Sequence, residues 1–217
     1  MLYNVISHSW KLGGIMSTNV VKTKSGRVIE DPPLARFLFS DTRVAPVWLV
    51  VRVLIGLSWL QSGFGKLGNP AWMESGAALR GFWENAVTIP EGGRPAIVFD
   101  WYRGFIQSLL DSGAYTWFAK LIAIGETAIG IALIIGAFVG IAAFFGAFMN
   151  WNFIMAGTAS TNALLGLGAL MLILAWKVAG WWGLDRWLLP MLGTPWTARS
   201  EMDSVSRSAV GREAETT

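Results

Sequence analysis

The feature that most constrains this chain is an apolar stretch from Leu121 to Trp176, in which Glu126 is the only ionisable side chain. Soluble domains carry about 25% charged residues, whereas this chain has 14% charged and 53% hydrophobic residues. A long apolar run with almost no charge is typical of membrane-spanning helices. The sequence therefore predicts an all-α integral membrane protein.

The apolar segments divide into four predicted spans. Residues 117–156 in one straight helix would extend about 60 Å, twice the roughly 30 Å hydrocarbon core, so the chain must fold back. The small residues of 136–140 are the expected hinge. The spans are then residues 46–64, 117–135, 139–155 and 163–180, and they form a four-helix membrane domain over residues 44–190.

A long loop, residues 65–115, separates the first and second spans and is polar and aromatic. Apolar residues recur at helical spacing around Trp83 and again around Phe105, with polar residues on the opposite faces. This pattern predicts two amphipathic helices that lie at the membrane interface within an outer loop.

The positive charges predict the orientation. Lys and Arg are frequent in the polar leader, residues 1–43, and recur in the polar tail, residues 191–217, whereas the predicted hinge has none. The positive-inside rule then places both termini in the cytoplasm and the bundle in the cell inner membrane. The tail lacks apolar periodicity and is expected to be flexible. Met16 is an alternative start to Met1.

Composition excludes several kinds of chemistry. The chain has no Cys, and its one His, His8, lies in the leader. The spans therefore supply no haem or iron–sulfur centre, no Cys-based metal site and no thiol catalyst, and no covalently bound cofactor is expected. The net charge of +3 is not gathered into a basic cluster with interleaved aromatics, so lipid and not nucleic acid is the expected partner.

Two charges inside the predicted spans are the first candidate site residues. Counting the helical rise places Arg52 about 12 Å from one side of the membrane and Glu126 about 15 Å from the other, so we expect them to meet. An unpaired charge at this depth costs a few kcal/mol. The pair is either a fixture of helix packing or a polar site for a quinone head group or a proton path.

Three further polar residues complete the candidate set. Asn150 and Asn152 lie in the third span, where each either bonds to a neighbouring helix or lines a cavity with Glu126 and donates to a ligand carbonyl. Lys66, just past the first span, is expected to extend to the outer surface.

The order of several motifs resembles the DoxX/DoxD family of four-span bacterial and archaeal membrane proteins over roughly residues 44–190. The motifs are Arg52 within the first span, Ser62-Gly63-Phe64-Gly65-Lys66-Leu67 at its exit, Gly125-Glu126-Thr127-Ala128 in the second span, and Trp181-Trp182-Gly183-Leu184-Asp185-Arg186 near the end. The resemblance implies a four-helix bundle associated with redox systems, including thiosulfate:quinone oxidoreductase. It also places Arg52, Lys66, Glu126 and Asp185 on family motif positions.

The sequence therefore predicts a quinone-linked membrane subunit of a bacterial or archaeal redox complex. As the chain has no redox centre of its own, electrons would come from another subunit or from a small reductant. Whether the subunit is itself a quinone-dependent oxidoreductase is left open. The alternative is a non-catalytic accessory or scaffold subunit that packs against a larger respiratory or photosynthetic membrane complex.

Overall fold

The computed structural model describes residues 21–22, 28–29 and 31–193, and its regular structure is almost entirely helical. The helices are α1 (Pro33–Ser40), α2 (Ala45–Leu67), α3 (Pro70–Met73), α4 (Ala77–Val87), α5 (Asp100–Asp111), α6 (Tyr115–Ile135), α7 (Val139–Met155), α8 (Ser160–Leu174), α9 (Trp176–Ala179) and α10 (Asp185–Met191). A 3₁₀ turn, Thr42–Val44, leads into α2, and two-residue strands β1 (Val21–Lys22) and β2 (Val28–Ile29) pair antiparallel. Apart from that strand pair, the predicted all-α class is confirmed.

Two of the helices are long and apolar enough to cross a membrane. One runs from Thr42 through α2 to Leu67 with a mean hydropathy of 1.7, and the other is α6 with a mean hydropathy of 2.0. The apolar helices α7 and α8 lie at the third and fourth predicted spans, but they contain 17 and 15 residues, against about 20 for a full span. Two helices thus have the character of spans, and the four-span bundle stays a prediction.

Helices α6 and α7 are separated at the position of the predicted hinge. Helix α6 ends at Ile135, and Gly136 follows with φ +71°, a left-handed conformation that glycine adopts without the cost of a Cβ. The Gly136 N–H donates to the Ala132 carbonyl, and α7 begins at Val139. The two helices therefore form a tight hairpin.

Helices α2 and α6 approach closely because glycines lie in their contact. A Cβ on Gly56 would lie 3.1 Å from the Leu133 Cβ, and a Cβ on Gly63 would lie 2.3 Å from the Thr127 Oγ1. Small residues of this kind let the backbones of apolar helices come together. These two contacts show that the helices are antiparallel, and they fix the register between them.

Buried side chains form two apolar cores. The first joins α2, α6, α7 and α8, and its large members include Trp48, Ile55, Trp59, Leu133 and Leu172. The second joins α4 and α5 to α6 and includes Leu79, Trp83, Ile97, Tyr102, Ile106 and Ile122. The segment between the two long helices therefore packs on the helical body with a core of its own.

The two amphipathic helices predicted within residues 65–115 are present as α4 and α5, and the short helix α3 precedes them. Helix α5 buries Tyr102 and Ile106, whereas Trp101 and Phe105 are 62% and 48% exposed. The apolar side of α5 is therefore divided between the protein core and the exterior. Its position at a membrane interface stays a prediction.

The fourth predicted span, residues 163–180, is not one continuous helix. Helix α8 ends at Leu174, and the chain bends at Ala175 before α9. A Cβ on Gly140 would lie 2.8 Å from the Trp176 Cβ. The bend thus carries the chain tightly across the start of α7, a tertiary contact that hydropathy does not report.

The segment after α9 returns to the hinge. The backbone N–H groups of Leu184 and Asp185 donate to the carbonyls of Ile135 and Gly136 at 3.1 and 2.8 Å. These bonds tie the start of α10 to the end of α6.

Most of the predicted leader and nearly all of the predicted tail lie outside the described residues. Of residues 1–43, the structure describes two short strands and the segment from 31 onward. Of residues 191–217, it describes 191–193.

Candidate functional site

A buried ion pair joins α2 to α6. The Lys66 Nζ atom lies 2.6 Å from the Glu126 Oε2 atom and 2.7 Å from the Ser62 Oγ atom. The Glu126 side chain is 1% exposed and the Lys66 side chain is 16% exposed, so the ammonium supplies the opposite charge that a buried carboxylate requires. The expected extension of Lys66 to the outer surface is therefore wrong.

The local sequence explains why Lys66 lies there. Ser62 and Lys66 are four residues apart on α2 and so share a face. Past the end of α2, the Asn69 side chain accepts a hydrogen bond from the Ala71 N–H and caps α3. This turn brings Trp72 over Lys66, whose Nζ lies 5.0 Å from the ring centroid, within the range of a cation–π contact.

The ion pair lies in the wall of a cavity of about 710 Å³ bounded mainly by α2 and the start of α8. We call it the polar cavity. Its neutral polar lining consists of Ser58, Gln61, Ser62, Thr158, Thr161 and Asn162, and its aromatic lining consists of Trp59, Trp72, Phe82 and Phe153. Lys66 and Glu126 are the charged residues of the wall, and their charges cancel. The cavity therefore offers hydrogen-bonding groups and aromatic faces without a net charge.

Arg52 does not pair with Glu126, and this part of the predicted site is wrong. The register that sets Gly63 against Thr127 brings Lys66 to Glu126. Arg52 lies eleven residues before Gly63, roughly 16 Å away along the helix. The depth estimate failed because it took the start of α2 as level with the end of α6, whereas α6 ends beside Arg52.

Arg52 instead closes the C-terminal end of α6. Its Nη1 donates to the carbonyls of Leu133 and Ile134 at 2.5 and 2.7 Å, and its Nη2 donates to the Trp182 carbonyl at 2.9 Å. The last carbonyls of a helix lack partners within the helix and carry partial negative charge, which a cation satisfies. Gly136 leaves room for the guanidinium, since a Cβ there would lie 2.8 Å from its Cζ.

Asp185 has the complementary role at the start of α7. Its Oδ1 and Oδ2 accept hydrogen bonds from the backbone N–H groups of Phe138 and Val139 at 2.5 and 2.9 Å. A carboxylate thus caps the helix N-terminus, although it comes from a distant part of the chain. Burial raises the pKa of the Asp185 carboxyl above its ordinary value, while the two backbone donors and the Arg52 charge oppose that rise.

The four motif residues therefore form two groups, one beside each end of the contact between α2 and α6. Lys66 and Glu126 lie beside the polar cavity, and Arg52 and Asp185 lie at the hinge. Every contact described for the second group is to backbone at a helix end or chain turn, which is a structural role. The first group is the candidate functional site.

The two asparagines lie in different surroundings. Asn150 is completely buried, and its amide has no hydrogen-bond partner within the described part of the chain. Asn152 accepts a hydrogen bond from the Tyr102 O–H at 3.1 Å and donates to the Phe148 carbonyl at 2.8 Å, so it links α7 to α5. Of the four residues predicted for the site, Glu126 is the one that lines the polar cavity.

A second cavity, of about 330 Å³, lies between α4, α5, α6 and the C-terminal half of α7. We call it the aromatic groove, because its wall is almost entirely apolar and includes Trp83, Trp101, Phe105, Ile106, Phe148 and Trp151. Phe82 and Phe153 line both cavities. Their rings pack edge to face with centroids 6.3 Å apart.

Sequence reasoning missed most of the polar cavity. A signal was present in the first span, where Ser58, Ser62 and Lys66 follow one another at intervals of four residues. Such a line of polar residues on an apolar helix marks the face that is turned away from lipid. It would have indicated that Lys66 points toward the bundle.

Comparison of the chain with models of protein families, with curated proteins and with solved structures finds no match. The resemblance to the DoxX/DoxD family accordingly rests on the motif residues. Function is therefore argued from the cavities and the groups that line them.

Proposed function

We propose that this chain is a quinone-linked membrane subunit of a redox complex, with the quinone ring held in the polar cavity. The observation that carries the proposal is the ion pair of Lys66 and Glu126 in the wall of a cavity that is otherwise neutral. A quinone ring has no charge and two carbonyl acceptors, so it requires donors and not a net charge. An ammonium has three N–H donors; contacts to Ser62 and Glu126 use two and leave one for a ring carbonyl.

The aromatic side chains of the polar cavity suit a planar ring. Trp59 lies on α2 and Trp72 on α3, and both line the cavity. Aromatic side chains favour offset-stacked or edge-to-face contacts with another ring. A concave site with aromatic walls and a few polar groups that fix orientation is the usual form of a small-molecule site.

The outward faces of the apolar helices support the membrane part of the proposal. Leu54 on α2 is 60% exposed, Ile124 on α6 is 55% exposed, and Phe144 on α7 and Leu167 on α8 are each 56% exposed. Such a surface is unusual in water but ordinary in lipid. The proposal thus includes a DoxX/DoxD-like four-span bundle in the cell inner membrane with both termini cytoplasmic. Local thinning of the bilayer would accommodate α7 and α8, about 26 and 23 Å long.

The residues of this chain would bind and orient the ring, and a partner would supply the electrons. Reduction of a quinone to a quinol takes up two electrons and two protons. A chain without Cys, and with His8 as its one His, holds neither a haem between two histidines nor an iron–sulfur cluster. The electrons would therefore come from a redox subunit bound to this chain or from a small reductant.

The test is binding of a ring-methylated benzoquinone without a tail to the purified chain, measured by equilibrium dialysis. We expect the double variant Lys66→Met/Glu126→Leu to bind at least about tenfold more weakly, because it loses the donor and leaves no unpaired charge to disturb the fold.

The matched control is Arg80→Gln/Glu84→Gln. This pair on α4 is 2.7 Å apart and half exposed, at 55% and 51%, and it lies outside the polar cavity. The control should bind like the parent chain. A parent chain that does not bind the quinone, or a Lys66/Glu126 variant that binds it normally, would contradict the proposal.

A different observation favours a second candidate function, that of a non-catalytic accessory subunit. Val98, Phe99, Trp101 and Phe105 are 61%, 53%, 62% and 48% exposed in and just before α5, and exposed aromatic residues are typical of protein interfaces. Purification in mild detergent separates the two candidates. Large subunits that co-purify without quinone favour the accessory role, whereas quinone extracted from the isolated chain favours the first proposal.

A further inference from the structure

The polar cavity and the aromatic groove are adjacent compartments. Phe82 on α4 and Phe153 on α7 belong to the walls of both. Their edge-to-face contact is held by dispersion and ring electrostatics, without a hydrogen bond. One bound molecule of sufficient length can therefore contact both compartments across this aromatic pair.

The two compartments differ in chemistry. The hydroxyl of Tyr102, a lining residue of the groove, already donates to Asn152, whose amide donates to the Phe148 carbonyl. The groove thus offers mainly apolar contact, with these two polar side chains already hydrogen-bonded to protein. At its outer rim Trp101 and Phe105 are largely exposed, so a long apolar chain can leave the groove there and continue into lipid.

We infer that the ligand of this site is a tailed quinone whose ring lies in the polar cavity and whose isoprenoid or alkyl tail passes the Phe82–Phe153 pair into the aromatic groove. This inference rests on the proposed function and adds the path of the tail, which ring binding alone does not require. The neutral polar groups match the ring, and the apolar groove matches the tail.

The test compares two water-soluble benzoquinones that share one ring, one without a tail and one with a single isoprenoid unit. Affinity is referred to the free aqueous ligand in equilibrium dialysis, and the ligand taken up by protein-free detergent is subtracted. We expect the tailed ligand to bind the parent chain at least about tenfold more tightly, because the tail moves from water into the groove.

The discriminating variant is Trp101→Ala/Phe105→Ala, which shortens two exposed side chains of the groove and leaves the buried core of α5 in place. We expect the tailed-to-tailless affinity ratio to fall about threefold or more, with the affinity for the tailless ring unchanged. The control is Trp187→Ala, a Trp that is 61% exposed and lies outside both cavities; its ratio should equal that of the parent chain.

The failures of the two ideas are distinguishable. If both ligands bind but the ratio is near one, or the groove variant leaves it unchanged, the tail path is wrong and the proposed function stands. If neither ligand binds, the proposed function fails and the tail path fails with it. A photoreactive group at the end of the tail should cross-link to α5 or α7, and cross-links confined to α2 would overturn the inference.

Discussion

The Lys66 ammonium and the Glu126 carboxylate are separated by 60 positions in the sequence and by 2.6 Å in the structure. The other ion pairs formed within residues 31–193 join residues two to four positions apart. The Lys66–Glu126 pair therefore links the end of α2 to the middle of α6, and it places both charges in the wall of a cavity. Its removal has consequences for stability that can be separated from those for binding.

The single variant Lys66→Met should lower the free energy of unfolding by about 3–5 kcal/mol, because it leaves the buried Glu126 carboxylate without its partner. The double variant Lys66→Met/Glu126→Leu should recover most of that loss. Chemical unfolding in detergent measures both values. The exposed pair on α4 is the control, and Arg80→Gln should cost about 1 kcal/mol or less. Equal losses for Lys66→Met and Arg80→Gln would show that the pair is not buried.

Arg52 and Glu126 should be energetically independent. Arg52→Met should destabilise the chain, because three backbone carbonyls lose their donor. Glu126→Leu should not rescue it, because sites about 16 Å apart without shared partners have additive effects within roughly 0.5 kcal/mol. A double-mutant cycle measures the coupling energy. A coupling energy of about 2 kcal/mol or more would support the direct Arg52–Glu126 pair that was predicted from helix depth.

Gly136→Ala should destabilise the chain by about 2 kcal/mol or more. Its φ of +71° disfavours any Cβ, and the new Cβ would meet the Arg52 guanidinium and displace its hydrogen bonds. The control is Gly104→Ala in α5, where a Cβ meets nothing within 4 Å and where alanine should gain about 0.5–1 kcal/mol. Thermal unfolding of the two variants should therefore shift in opposite directions.

Alkaline pH should destabilise the fold through Tyr102. Burial raises the pKa of Tyr102 above its ordinary value of 10.0, so the unfolded chain loses this proton first as the pH rises. Stability is therefore unaffected by this group below pH about 10 and falls above it. Tyr102→Phe should cost about 1 kcal/mol at neutral pH and show a smaller fall between pH 8 and 11. Parallel Tm curves for the two proteins would contradict this linkage.

Cysteine labelling can decide between two and four membrane spans, because the native chain has no Cys. With four spans, single cysteines at Gly92 and Ala159 should react with an impermeant reagent from one side of the membrane, and those at Thr42 and Gly193 from the other. All four positions are exposed. A cysteine at Ala159 that labels from the same side as Thr42 would leave α2 and α6 as the only spans among the described helices.

Hydropathy and small-residue patterns predicted much of the fold. The hinge follows from the length limit of a span and the glycine at position 136, and α4 and α5 follow from apolar periodicity. The bend at Ala175 could not be predicted, because it depends on contact between Trp176 and Gly140. These two residues are 36 positions apart, so the sequence around the bend does not indicate the contact.

The site was harder to predict because pairing depends on register. The depth estimate assumed that the start of α2 lies level with the end of α6. In the structure, α6 ends beside Arg52, which is about two turns into α2. Gly56 and Gly63, seven residues apart on α2, were the better guide. Matching them to Gly130 and Thr127 of α6 places Glu126 within one turn of Lys66, and Arg52 near Gly136.

The hinge between α6 and α7 is completed by residues from both sides of it in the sequence, and this affects the order of biosynthesis. Arg52 is made long before the hinge, but Asp185, which satisfies the N–H groups of Phe138 and Val139, is made long after it. During translation the hairpin of α6 and α7 therefore exists for a time without the carboxylate that caps the start of α7. A nascent chain that stops before residue 185 would contain the apolar helices α2, α6, α7 and α8. The backbone N–H groups of Phe138 and Val139 would still lack the Asp185 carboxylate. Formation of α10 is thus the step that completes the hinge between α6 and α7.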